Sequence, residues 1–218
     1  LIGCGMWGRN LARNLAALGV LAGVADQQHD RAERFAGEFE TTSAPVDTLV
    51  ADHNLDGVVI ASSAPTHAGL ACRALASGLH AYVEKPFALT LADAETMAAA
   101  AAAAGRQLMV GHLIRYHDVF GELLSQIDAG VIGEVRHVTA NRLAMGRIRA
   151  TESVIHDLCP HDISLILAIM GGMPERISCT GASHVMPGNV DTLSAFLAFA
   201  GGRSLSLIHI SEPTRLEP

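Results

Sequence analysis

A chain of 218 residues, half of them hydrophobic, is long enough for one large domain or two small ones with a real core. Its net charge of −7 argues against a nucleic-acid or membrane-surface partner. Nothing reads as a secretory signal and no apolar run is long enough to span a bilayer; the four cysteines (Cys4, Cys72, Cys159, Cys179) form no Cys-x-x-Cys pair, which points to reduced thiols and a cytoplasmic protein.

The chain opens on Leu1-Ile2 running into Gly3-Cys4-Gly5-Met6-Trp7-Gly8, and a helical pattern follows with Leu11, Leu15 and Leu18 on one face. Strand, tight turn and helix N-terminus in that order suit a dinucleotide. Gly3 would permit the turn, Gly5 would let a pyrophosphate approach the backbone, and Gly8 would let the helix pack on its strand. The free N–H groups of the first helical turn, around Met6 and Trp7, would face the phosphates. Cys4 is small enough to sit inside the turn. A glycine pattern alone also fits a turn of no special function. Favouring a ligand is a second strand, 20–25, that ends on Asp26, where an acid suits the adenosine ribose hydroxyls. NAD is therefore expected over NADP, because a 2′-phosphate would meet a like charge that only Arg31 nearby could offset.

An amphipathic helix comes next, with Ala32, Phe35, Ala36 and Phe39 on its buried face, then a short helix over 47–52. Residues 56–61 read as a buried parallel strand. The turn after it, Ser62-Ser63-Ala64-Pro65-Thr66-His67, supplies Ser62, Pro65 and His67 as candidate cofactor contacts. Thr66 can cap the following helix, which Gly78 stops. Residues 80–83 form a strand that ends on Glu84-Lys85-Pro86. Thr90-Leu91-Ala92-Asp93 resembles a capping box opening an alanine-rich helix; Gly105 ends it, and 107–110 is another strand. Strand and helix alternate throughout 1–111, which implies an α/β, doubly wound parallel sheet. Ligands of such sheets lie outside the carboxyl ends of the strands. The glycine turn, the 62–67 turn and Glu84-Lys85-Pro86 all fall there.

From His112 the pattern becomes α+β. A helix covers 119–128, an alternating strand covers 134–140, and a polar segment follows with Asn141, Arg142, Arg147 and Arg149. His156-Asp157 and His161-Asp162 lead into an apolar helix stopped by Gly171-Gly172, and 176–181 and 192–199 are strand candidates. This second domain is expected to be partial, 112–204. The N-terminus is expected to be clipped, since only two residues of the first strand remain. Residues 205–215 resemble the in-frame translation of a sequencing adapter, so 205–218 are expected to be a non-native tail; the alternative is a genuine strand, 205–210, with a polar tail.

Three groups could carry chemistry. Lys85 ends a buried strand, where burial would make its amine a usable proton donor or acceptor; alternatively it is solvated and paired with Glu84. On one helix Asp157 and His161 would share a face at i, i+4, with Pro160 tolerated in the first turn. That spacing favours an acid–base pair over two metal histidines. Asp157 could instead only cap the helix, or the His-Asp doublets could serve a metal-dependent hydrolase. Arg142, Arg147, Arg149 and Arg115 suggest an anionic substrate, or else an exposed loop with ordinary surface arginines.

Together the stretches GCGMWGRN, SSAPTH, YVEKP, GHLIRYH and HDLCPHDISLIL resemble the Gfo/Idh/MocA family of nicotinamide-dependent sugar and polyol oxidoreductases, over 1–199. GMWGRNLARN, NRLAMGRIR and DLCPHDIS look most like the members that oxidise UDP-linked N-acetylated sugar acids. The resemblance implies a Rossmann domain, a C-terminal domain whose open sheet often mediates homo-oligomers, and a small sugar or nucleotide-sugar substrate. It places Lys85, Asp157 and His161 as catalytic residues. It lists Gly3, Gly5, Met6, Trp7, Gly8, Asp26, Ser62, Pro65, His67, Glu84, Lys85 and Pro86 on the NAD side, and Arg115, Asn141, Arg142 and Arg147 on the substrate side, with no metal. His161 would be the general base, Asp157 its electrostatic partner, and Lys85 would polarise the substrate oxygen or relay its proton. His156 departs from the family pattern, which often has an aromatic residue there, and the family's further strands after 204 are absent. A dinucleotide sensor without chemistry is the other reading of the fold; it has no need of Lys85, Asp157 and His161 together.

Overall fold

Ile2 joins the sheet of the N-terminal half. The structure, a computed structural model, describes residues 1–146, 153–185 and 187–213. It divides into two units, Leu1–Gly111 and His112–Pro218. In the first, Ile2 makes parallel bridges to Ala25 on one side and Ile60 on the other. Its N–H donates to Val59 O at 2.8 Å, and its carbonyl accepts from Ala61 N at 2.8 Å. It thereby links the pair β1 (Gly23–Val24) and β2 (Thr42–Ser43) to the triplet β3 (Gly57–Ile60), β4 (His80–Val83) and β5 (Leu108–Val110). The order β2-β1-Ile2-β3-β4-β5, parallel throughout, reverses at the glycine turn, the position where doubly wound sheets take a dinucleotide.

Strand alternation sends apolar side chains to both faces, and helices cover each. Ile2, Ala25, Val58, Ile60, Ala81 and Val83 face α3 (Val46–Val50), α4 (His67–Ala76) and α5 (Leu91–Ala104). Leu1, Cys4 and Val24 face Ala12 of α1 (Met6–Ala17) and Ala32, Phe35 and Ala36 of α2 (His29–Glu38), while Phe39 is only partly buried. Ile60 and Leu75 are wholly buried, each contributing roughly 1.5–3 kcal/mol of transfer free energy. Thr90 caps α5: its hydroxyl oxygen accepts from Asp93 N at 3.1 Å, and the hydroxyl proton goes to Asp93 Oδ2 at 2.7 Å. Gly105, at φ 61°, closes that helix left-handed.

Two local expectations are corrected. Thr66 does not cap α4; a 3₁₀ turn, Ala64–Thr66, precedes that helix, and the Thr66 hydroxyl donates to Ser63 O at 2.8 Å. The strand expected at 20–25 is confined to Gly23–Val24 plus the Ala25 bridge, because Val20 is exposed and belongs to the turn that ends α1.

The second unit opens with a 3₁₀ turn, Leu113–Tyr116, and α6 (Asp118–Asp128). Its sheet has the order β6-β9-β8-β7, from β6 (His137–Gly146), β7 (Arg176–Ala182), β8 (Thr192–Ala198) and β9 (Ser204–Pro213). β6 and β9 run parallel; the other pairs are antiparallel. The polar segment from Asn141, for which an exposed loop is the alternative reading, forms the second half of β6 as far as Gly146. Period two continues through it: Val138, Ala140 and Arg142 lie on the covered face, Thr139, Asn141 and Leu143 on the other. Residues 147–149, with Arg147, lie outside the described residues. The segment from Leu205 forms β9, between β6 and β8, with Leu205, Leu207 and His209 buried.

The single helix expected across the His-Asp doublets is two: α7 (Val154–Asp157) and α8 (Cys159–Met170). Pro160 has no N–H to donate to the carbonyl four residues back, so the helix restarts there, and Leu158 rather than Asp157 holds the position before α8. Ile166 and Met170 of α8 pack on Leu193, Leu197, Leu205 and Leu207. The sheet's other face exposes Leu143, Phe196 and Ile208. Among the described residues no helix is long and apolar enough to cross a membrane.

Candidate functional site

Each motif glycine has its own reason to lack a side chain. Gly3 lies at φ 105°, and a Cβ there would come within 2.6 Å of Ser62 N. A Cβ on Gly8 would run into Gly3 O, so α1 can approach the strand only over a bare residue. A Cβ on Gly5 would meet nothing within 4 Å. Packing therefore does not require glycine at that position, and the bare backbone leaves room for a ligand. The first bond inside α1 runs from Arg9 N to Gly5 O, so the N–H groups of Met6, Trp7 and Gly8 emerge from its N-terminal end. Met6 and Trp7 are both exposed.

Asp26 closes this turn. Its Oδ2 accepts from Cys4 N at 2.8 Å and its Oδ1 from Gln28 N at 2.8 Å, and its side chain is 8% exposed. Arg31 Nη1 stands 3.6 Å from Oδ2, while Arg31 Nη2 donates to Gln28 Oε1 at 2.7 Å. Burial, and secondarily the Asp26 charge, push the Cys4 thiol up to about 11, so it stays neutral beside the phosphate cradle. A carboxylate fixed by two backbone donors at a strand end, beside a bare glycine and open N–H groups, fits an adenosine dinucleotide.

The other two rim segments are tied together by one ring. His67 is 1% exposed; its Nδ1 lies 2.9 Å from Pro86 O and its Nε2 3.1 Å from Ser62 O. It holds the 62–67 turn to the Pro86 carbonyl, just after the cis Lys85-Pro86 bond. Pro65 is exposed on that turn. Glu84 is buried and turned inward: Tyr82 Oη donates to its Oε1 at 2.9 Å and Lys85 N to its Oε2 at 3.2 Å. Gly111 lies beneath, where a Cβ would come within 2.7 Å of Tyr82 Oη and 2.9 Å of Glu84 Cδ. Tyr82 and Gly111 were missed in the sequence because they act on Glu84 through space, and the local pattern of YVEKP marks only the polar triplet.

In the second unit Arg142 does not stand open to a ligand. Its Nε and Nη2 donate to Asp162 Oδ2 and Oδ1 at 3.1 and 2.7 Å, a two-pronged pair. Asp162 Oδ2 also lies 2.6 Å from His209 Nε2, and His209 Nδ1 lies 2.8 Å from Cys159 Sγ. Burial opposes ionisation of Asp162, but the hydrogen bonds from His209 and Arg142 outweigh it and hold the carboxyl well below the usual carboxylate range. Burial, then the Asp162 charge, push the Cys159 thiol up to about 12. The thiol therefore stays neutral beside His209 and is not a nucleophile, despite a Cys-His-Asp order that imitates a catalytic triad. The network spans 47 residues between Asp162 and His209 and carries no local sequence signal.

Asp157 lies close enough to Arg142 to be felt electrostatically. His161 is the third residue of α8; its Nδ1 is buried and its carbonyl accepts from Ser164 Oγ at 2.7 Å. His156 Nδ1 lies 3.1 Å from Ser153 Oγ. With Asp162 committed to Arg142 and His209, the two His-Asp doublets do not converge as a ligand set. Asn141 and Arg142 point to opposite faces of β6, so they do not line one surface. Arg115 is exposed on the 3₁₀ turn that packs on α8.

Comparison with known proteins covers both units. Residues 1–112 match the oxidoreductase family with an NAD-binding Rossmann fold, and residues 120–211 match the GFO/IDH/MocA C-terminal domain. The UDP-N-acetylglucosamine 3-dehydrogenase of Acidithiobacillus ferrooxidans is 33% identical over 220 residues, 99% of this chain and 68% of that protein. Its crystal structure superposes with a TM-score of 0.87, covering 100% of this chain and 70% of that one. The myo-inositol 2-dehydrogenase of Thermotoga maritima is 29% identical over 216 residues, 93% of this chain and 65% of that protein. The chain thus spans about two thirds of the length of these relatives.

Proposed function

The chain belongs to the GFO/IDH/MocA oxidoreductase family, and on that premise we propose that it comes from an NAD-dependent dehydrogenase acting on a ring hydroxyl of a sugar or nucleotide-sugar. The observation that carries the reading is the Asp26 carboxylate, fixed by Cys4 N–H and Gln28 N–H at the rim of the bare Gly5 turn. Gly3, Gly5, Gly8 and the first-turn N–H groups would hold the pyrophosphate and Asp26 the ribose; Ser62, His67, Glu84 and Pro86 shape the rest of the rim. When bound, the nicotinamide supplies the hydride acceptor. In this reading His161 would take the hydroxyl proton, Asp157 would favour its imidazolium form, and Lys85 would polarise the substrate oxygen or relay its proton. Arg142 serves by holding Asp162, which leaves Arg115 and the segment around Arg147 as the candidate anion contacts.

The same reading makes NAD the preferred cofactor, since a 2′-phosphate would approach the Asp26 charge. It includes a cytoplasmic homo-oligomer, for which the uncovered face with Leu143, Phe196 and Ile208 offers apolar surface. The activity test uses the purified protein, supplied with NAD or NADP and with UDP-N-acetylated sugars, inositols and aldoses. Nicotinamide reduction with at least one of these, and tighter binding of NAD, is expected. Cofactor binding with no reduction by any of them would reduce the protein to a sensor, and equal affinity for the two cofactors would remove the NAD preference.

A further inference from the structure

We propose that Tyr82 is a positioning residue for Lys85: its phenol holds the buried Glu84 carboxylate in the orientation that bonds the Lys85 N–H, and so fixes the backbone from which the amine projects. The inference deepens the dehydrogenase reading above and rests on it. Lys85 is the only lysine in the 218 residues, so no other amine side chain can take its role. The strand ladder runs one residue past β4: Glu84 N donates to Ile60 O at 2.9 Å, and Gly111 N donates to Val83 O at 2.8 Å. Tyr82 and Glu84 therefore leave the same face of the sheet, while Ala81 and Val83 enter the core on the other. The register that pairs Val83 with Val110 sets Gly111 beside Glu84 on the neighbouring strand. A Cβ at 111 would come within 2.7 Å of Tyr82 Oη and 2.9 Å of Glu84 Oε1. The phenol reaches Glu84 over that bare backbone.

Glu84 is 5% exposed, and a carboxylate at that depth must be met by donors. Tyr82 Oη donates to its Oε1 at 2.9 Å and Lys85 N to its Oε2 at 3.2 Å, so each oxygen has its own donor. The carboxylate plane cannot turn without breaking one of the two bonds. The bond from Lys85 N is the longer, and it forms only where that plane stands correctly. Tyr82, anchored two residues back in the paired part of the strand, sets the plane. On the far side of Lys85, His67 Nδ1 lies 2.9 Å from Pro86 O. The backbone that carries the amine is thus held before and after it. Phenylalanine at 82 would keep the ring and remove only the donor. Oε1 would then turn toward another donor, and Oε2 would leave the Lys85 N–H.

The test compares Tyr82→Phe with the wild-type protein. Reductive methylation with ¹³C-formaldehyde labels Lys85 alone among the side chains, and its ¹H–¹³C signal reports the surroundings of the amine without turnover. Trp7 is the only tryptophan, lies in the first turn of α1 and is exposed, so quenching of its emission reports NAD binding. In Tyr82→Phe the Lys85 signal should move by more than its linewidth, while NAD affinity stays near wild type. With a substrate that the unlabelled wild type oxidises, kcat should fall roughly tenfold, inside the hundredfold that a misplacement of about 1 Å can cost. An unmoved Lys85 signal overturns the proposal, whether or not any substrate is turned over. A moved signal with unchanged kcat overturns it as well. So does a parallel loss of kcat and NAD affinity, or a Tyr82→Phe chain that does not fold, since Tyr82 would then be a packing residue of the sheet. If the wild type reduces NAD with none of the sugars, inositols and aldoses, the dehydrogenase reading falls, and the Lys85 signal still judges whether Tyr82 sets that amine.

Discussion

In residues 1–111 the polar contacts that shape the candidate site end mainly on backbone: Asp26 on two N–H groups, His67 on two carbonyls, and Gly3 and Gly8 on main chain that would collide with any Cβ. In residues 112–213 they run from side chain to side chain, through Arg142, Asp162, His209 and Cys159, drawn from two strands and a helix. Backbone partners are present whatever residue supplies them, so a site built on them needs only correct local spacing. A side-chain network needs each member to be the right residue and every strand in register. The first kind tolerates change around it and leaves a readable motif; the second fails as a unit and leaves none.

The sharpest way to break the comparison is Asp162→Ala. It strands the Arg142 guanidinium and the wholly buried His209 without their shared carboxylate. The second unit should lose roughly 3–5 kcal/mol, read by denaturant titration with a far-UV signal. The same carboxyl sets a pH dependence. Its folded pKa is depressed, so its contribution is fully present above the ordinary unfolded value of about 4 and is lost as pH falls below it. Wild type should therefore shed on the order of 2 kcal/mol more than Asp162→Asn between about pH 5 and pH 2. Parallel acid curves for the two proteins would show that the network contributes nothing as a unit.

Next in size is the chemistry. In the full-length protein, Lys85→Met or His161→Ala should each cut turnover roughly a hundredfold or more while NAD binding stays nearly intact. If Asp157 acts on His161 as proposed, Asp157→Asn should cost less and move the pH profile of oxidation downward, since a carboxylate partner favours imidazolium. Near wild-type turnover in His161→Ala, with an unchanged pH profile, would make that histidine structural.

The smallest effect separates two glycines three positions apart in one motif. Gly8→Ala should cost about 1–3 kcal/mol of stability, because its Cβ meets Gly3 O and α1 must move. Gly5→Ala has no such neighbour and should change stability by less than about 1 kcal/mol, yet weaken NAD binding measured by Trp7 quenching. Equal thermal shifts for the two, with equal affinities, would mean that the open space over Gly5 is not a ligand's.

Much of this molecule was legible because its signals are local. The glycine turn, the Thr90 cap, the Gly105 stop and the strand at 80–83 each rest on residues within a few positions of one another, and backbone sterics read those directly. Asp26 could be placed at the carboxyl end of its strand because strand length fixes where that end falls. Where two local options compete, only the fold chose. Thr66 could cap α4 or bond Ser63 O, and the 3₁₀ turn selected the second. The segment after Ala140 was polar enough for a loop, but pairing with β9 made it strand and split Asn141 from Arg142. Asp162 looked like half of a His-Asp doublet; its true partners are 20 and 47 residues away. The chain's own pattern determined which segments become strands and helices and which backbone must stay bare, because those are properties of a few adjacent residues. Tertiary structure alone decided which side chains meet, because a contact across the sheet depends on strand order and register, and neither is written at either end of the contact.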